Sequence, residues 1–103
     1  MPKITCKSNT LVKRFRSFKQ GSNSKDKDYF CIEGTHLMEE LLRSGNNPSK
    51  ILATEKWLDK HNELYQKINK VLITVVSEEV LASAVSTKNP DGVAALAGIS
   101  SIL

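Results

Sequence analysis

Four short apolar runs, separated by helix-like stretches or by turns bearing glycine or proline, limit most strongly how this chain can fold. They are Tyr29–Glu33, Lys50–Thr54, Val71–Val76 and Val93–Ile99. Val71–Val76 is the clearest, a run of β-branched and aliphatic residues of the kind buried on both faces of a sheet. The run at 93–99 is rich in alanine, which calls for helices packed closely on the sheet faces. Alternation of such runs with helical patterns predicts a layered α/β domain with a central sheet of about four strands.

The helical patterns are specific. Over residues 10–19, Leu11, Phe15 and Phe18 fall on one face with Val12 beside them. Lys13 and Arg16 are expected on the opposite, wet face, with Arg14 flanking it, and Asn9 or Thr10 as the cap. After Gly34, which permits a tight turn, a helix from about Thr35 to Ser44 carries Leu37, Met38, Leu41 and Leu42 as its core face. Glu39 and Arg43 form an i, i+4 pair there, and Gly45 with the following Asn-Asn-Pro ends it. A helix from about Glu55 to Lys70 offers Trp57, Leu58, Leu64, Tyr65 and Ile68 for burial, although Asp59–Glu63 is very polar. Ser77 caps a short helix with Glu78 and Glu79 at its positive end and Val80, Leu81 and Val85 inward. Thr87–Gly92 is turn chemistry.

A chain of 103 residues is one domain. Its 40% hydrophobic and 25% charged content suits a folded chain, and 6% aromatics make the core mostly aliphatic. Charge is unevenly spread. Residues 1–27 carry eight basic residues against Asp26 alone, while the remainder carries seven basic and ten acidic ones. Such asymmetry favours a polyanion partner, the plainer reading being a solvated basic terminus. Residues 20–27 form a polar loop without an apolar anchor, either a simple surface loop or one that orders on a phosphate backbone.

Catalytic and metal signals are weak. Cys6 and Cys31 lack metal spacing; Cys31 reads as a small buried hydrophobe, and a reduced, cytoplasmic protein is expected. His36 and His61 are isolated, with His36 reading as a surface residue. Gly34 alone makes no phosphate loop. Glu39-Glu40 and Glu78-Glu79 have ordinary helical explanations, and no nucleophile, base and orienting acid come together. No run approaches the roughly 18–20 apolar residues that span a bilayer. The basic set is the functional signal, because Lys and Arg give both charge and donors to phosphates. The candidate contacts are Asn9, Lys13, Arg14, Arg16, Lys19, Lys25 and Lys27. Tyr29 is open to base stacking, beside the plainer reading of burial against the first helix.

Three ordered motifs resemble one family. Ile4 to Phe18 is similar to an apolar-Ser-x-x-Asn-Pro-x-Val-Lys-x-x-Arg-x-Leu opening, with Asn9, Val12, Lys13 and Arg16 in place, Thr10 for the usual Pro and Cys6 for the usual Ser. Phe30 to Gly34 matches Phe-x-Ile/Val-Glu-Gly. Thr87, Pro90, Asp91, Gly92 and Val93 match a closing Thr-x-x-Pro-Gln-Gly-Val, with Asp91 for Gln; Lys25 stands near a common Arg and cannot make its planar bidentate contact. Together these resemble the RNA substrate-binding domain of the SpoU-type (TrmH-type) RNA ribose 2′-O-methyltransferases, over essentially the whole chain.

The resemblance implies a three-layer α/β/α sandwich with a central mixed sheet of about four strands, like the kink-turn-binding ribosomal proteins. It implies a helix and basic loop at 1–28, an α/β body at 29–103, and structured RNA (rRNA, with the large subunit preferred, or tRNA) as partner. It further implies that a parent enzyme methylates a ribose 2′-hydroxyl with S-adenosylmethionine and dimerises through a separate knotted domain beyond Leu103. The present segment is then expected to be a piece of a longer chain: monomeric, without metal, cofactor, membrane contact or activity of its own. A free-standing RNA-binding protein of the ribosomal type and a protein-interaction module remain the alternatives.

Overall fold

The computed structural model describes residues 3–19, 28–85 and 91–98. Its elements run β1 (Lys3–Ile4), α1 (Thr10–Lys19), β2 (Tyr29–Glu33), α2 (Thr35–Arg43), β3 (Lys50–Ala53), α3 (Glu55–Lys60), α4 (Asn62–Lys67), a single 3-10 turn (Lys70–Leu72), β4 (Ile73–Val76), α5 (Glu78–Ala84) and β5 (Val93–Gly98). The strands form one mixed five-stranded sheet in the order β1-β4-β3-β5-β2. β1, β4 and β3 are mutually parallel, and β5 runs antiparallel to both β3 and β2.

The period-two alternation of the strands divides the core into two layers. Leu52, Val76, Ala94 and Leu96 point to one face, where Val12 and Phe15 of α1 and Val80, Leu81 and Ala84 of α5 cover them. Ile51, Ala53, Ile73, Val75, Val93 and Ala95 point to the other, against Met38 of α2 and Trp57 and Leu58 of α3. The first five residues of β5 are all buried, which is why its alanines are needed: helices press on both faces. The three-layer α/β/α expectation is met.

Several elements depart from expectation. The sheet has a fifth strand, β1, whose two residues pair Lys3 with Val75 and Ile4 with Val76; a pair of residues is too short to show a period. The helix expected over 55–70 breaks at His61, whose φ of −115° and ψ of 48° leave the helical region. The polar stretch Asp59–Glu63 supplies no apolar stripe to hold a continuous helix on the sheet, and no residue of α4 is fully buried. The strand expected from Val71 begins at Ile73, leaving Val71 86% exposed.

On α2, Leu37 is 48% exposed, because Met38 and Leu41 centre the buried face and the preceding residue lies about 100° round the helix. The pair on its wet face joins Arg43 to Glu40 at 3.0 Å, not to Glu39. Gly45, with φ of +84°, follows the helix as expected of a residue past the C-cap.

Candidate nucleic-acid interface

Helix α1 is held from within and capped from its own sequence. Asn9 Oδ1 accepts from the backbone N–H of Leu11 at 2.9 Å and of Val12 at 3.3 Å, so Asn9, not Thr10, is the cap. Val12 and Phe15 are fully buried and Leu11 and Phe18 pack at the margin. Fully burying a Phe or Val side chain contributes about 1.5–3 kcal/mol, so these anchors fix which side of α1 meets solvent. Lys13 lies on that side and is exposed. Arg14 is half-buried, its guanidinium 4.9 Å from the centroid of the Tyr29 ring at the start of β2. That is a cation–π stack joining α1 to the edge strand, and it meets the expectation that Tyr29 packs against the first helix.

Arg16 does not project to solvent as its helical phase suggested. Its Nε donates to the Ser83 carbonyl oxygen at 3.2 Å, and its Nη2 to the Lys7 carbonyl at 2.9 Å and the Ser83 hydroxyl at 3.1 Å. α5 has no basic residue in its last turn. Arg16 therefore brings a positive charge from α1 to carbonyls at the negative end of that helix. These bonds give Arg16 a structural role between α1 and α5.

The remaining candidates separate cleanly. Asn9 spends its side-chain oxygen on the cap. Lys19 ends α1. Lys25, Lys27 and the whole loop at 20–27 lie outside the described residues. Lys3 is paired with Glu55 at 3.1 Å. Lys7 was not among the candidates, yet it is exposed and its carbonyl holds Arg16, which sets its backbone beside α1. Among the described residues of the basic N-terminal segment, Lys7 and Lys13 are exposed and Arg14 is half-buried. The count of basic residues before position 28 was the one sequence signal pointing to Lys7.

At the N-terminus of α2 a second polar group forms. The Trp57 indole N–H donates to the Thr35 hydroxyl at 2.9 Å, and the Thr35 backbone N–H donates to Asp91 Oδ2 at 2.9 Å. The Thr35 hydroxyl and then its backbone N–H hold the Asp91 carboxyl below the usual carboxylate range. So Asp91, where the motif usually has Gln, satisfies the first helical N–H of α2. Gly92 beside it has φ of +106°, and a Cβ there would lie 2.8 Å from Trp57 Cβ.

Neither cysteine is disulfide-bonded. Burial, with the Glu33 charge second, pushes the Cys31 thiol up to about 12. The Ser8 hydroxyl, 2.8 Å from Sγ, and the Ser8 backbone N–H lower that of exposed Cys6. Among the described residues no three His, Cys, Asp or Glu side chains gather to hold a metal, and no helix is long and apolar enough to cross a membrane. The positive-φ glycines Gly34, Gly45 and Gly92 fall singly in separate turns.

Comparison with known proteins finds relatives for this chain. The family model described as the MRM3-like substrate binding domain matches residues 9–95. An uncharacterized tRNA/rRNA methyltransferase of Synechocystis sp. is 38% identical over 94 residues, covering 89% of this chain and 34% of that protein. An RNA 2′-O ribose methyltransferase structure superposes with a TM-score of 0.77 at 27% identity, over 95% of this chain and 38% of that one. An rRNA methyltransferase from Sinorhizobium meliloti superposes with a TM-score of 0.72 at 21% identity, over 94% and 36% respectively, and shares the fold. The chain spans about a third of the length of these relatives.

Proposed function

The chain belongs to the MRM3-like substrate-binding domain family, and from that premise we propose that it grips structured RNA for a longer RNA ribose 2′-O-methyltransferase. The observation that carries the reading is the way α1 is mounted: Phe15 and Val12 lock one side into the core while Lys13 stands exposed on the other. A cation on a rigid element positions a phosphate backbone without reading sequence.

The reaction itself belongs to a separate domain, which also carries the S-adenosylmethionine site and the dimer interface; that cofactor supplies the methyl group. A neighbouring structure from Sinorhizobium meliloti is described as AdoMet-bound, which supports this choice of cofactor. The residues of this chain bind and orient RNA and take no part in methyl transfer. rRNA is the preferred substrate, in line with the rRNA methyltransferase among the structural neighbours, and the cytoplasm the preferred compartment, in line with two unpaired cysteines.

Fluorescence anisotropy with matched rRNA and tRNA fragments tests the reading. Tighter binding to an rRNA fragment, weakening steeply as salt rises, is the expected result. Equal or absent binding to both at low salt would overturn it.

A further inference from the structure

The break at His61 leaves an opening that RNA gripping by α1 does not use. A cavity of about 670 Å³ lies between α2 and the α3–α4 junction, within the size range of small-ligand sites. Its apolar contribution is Leu42 from α2 and Leu64 from α4. His61 adds an imidazole whose ring stands 5.2 Å from the Trp57 ring at a 34° tilt. Trp57 is only 2% exposed and its indole N–H is fixed on Thr35, so this imidazole has a rigid aromatic backing. Lys60 and Lys67, both exposed, bring positive charge to the cavity.

We propose that this cavity receives one unpaired nucleotide of the bound RNA, a proposal that rests on the RNA-binding reading above. Splayed bases are recognised by stacking on aromatic side chains, histidine among them, and by hydrogen bonds to their edges. Here the base lies against Leu42, Leu64 and His61, and its phosphate meets Lys60 and Lys67. Glu39 and Glu63 also line the space. They disfavour a bare anion but accept the amino and imino N–H groups that a base presents. The site sits on the face of the sheet opposite α1, since α2 and α3 cover one core layer and α1 the other. RNA reaches it by passing the edge strand β2, where Arg14 already stacks on Tyr29.

The test is an amide-shift NMR titration of the chain with each nucleoside monophosphate and, separately, with inorganic phosphate. Trp57, the single tryptophan, gives a second readout by fluorescence. Saturable shifts at Leu42, His61 and Leu64 with a monophosphate, and weaker ones with phosphate, are expected. Lys60→Ala with Lys67→Ala, both on exposed positions, should abolish them and leave the thermal transition in place. Equal response to phosphate would reduce the cavity to an anion site and overturn the proposal. So would response to an apolar peptide in place of a nucleotide. An rRNA fragment that binds while the cavity amides stay silent overturns this inference alone; failure of every RNA to bind overturns the reading beneath it as well.

Discussion

Arg16 reaches from α1 to Ser83 at the end of α5, meeting its backbone carbonyl at 3.2 Å and its hydroxyl at 3.1 Å, while the same hydroxyl donates to the Val80 carbonyl at 2.7 Å. One guanidinium thus ties two helices of the same layer and satisfies the Ser83 carbonyl that α5 leaves open. Hydrogen bonds from a charged donor contribute about 1.5–3 kcal/mol in partly buried settings. Arg16→Ala should lower stability by roughly 1–2 kcal/mol after allowance for its half-exposed position. Arg16→Lys should recover little, since an ammonium cannot fork across both groups. Urea denaturation of the two variants checks this; an unchanged midpoint in Arg16→Ala would show that the clamp does not stabilise the fold.

Of the positive-φ glycines Gly34, Gly45 and Gly92, Gly92→Ala should be the most damaging. The φ of +106° is strained for any L side chain, and the new methyl would meet Trp57 Cβ at 2.8 Å and Thr54 Oγ1 at 3.1 Å. Overpacking and backbone strain together should cost about 2–4 kcal/mol. Gly45→Ala faces open space and should cost only the conformational part, about 1–2 kcal/mol. Equal losses in a thermal melt would show that Gly92 is not packed against Trp57.

Asp91 gives a pH signature. Its carboxyl is held below the unfolded value by Thr35, so the charged form favours the folded chain at pH above about 4. That contribution is lost as pH falls through the folded-state pKa. Asp91→Asn should lie below the parent in stability by a constant margin from neutral pH down to about pH 5, the gap closing below about pH 4. A gap that persists at pH 2 would mean the charge is not the source.

The two thiols should differ sharply in reactivity. Cys6 is exposed and its thiol lowered, whereas Cys31 is pushed up to about 12 by burial. Near pH 8, iodoacetamide should label Cys6 in the native chain and Cys31 only after unfolding, as mass spectrometry would show. Equal native labelling would contradict the packing of β2 beneath α1.

The sequence made the inward face of α1 legible because Val12 and Phe15 carry the helical period themselves. It did not show Arg16 turning inward, because its partner Ser83 lies 67 residues away. Helical phase gives a direction on one helix and says nothing of a neighbour's open carbonyls. The break at His61 was foreshadowed by the polar stretch Asp59–Glu63, but the cavity it borders depends on where α2 lies. β1 escaped because two residues hold no alternation. Asp91 was legible as a departure from a motif, yet only the fold brings it to the N–H of Thr35, 56 residues away in sequence.

The grip of the wet side of α1 on an RNA backbone is tested most directly by comparing the parent chain with Lys13→Ala on a structured rRNA fragment across a salt series. Weaker binding in Lys13→Ala, a salt slope lower by about 1, and an unchanged thermal transition are expected. Identical affinity and slope in the two proteins would contradict that grip, and would move any RNA contact away from this helix.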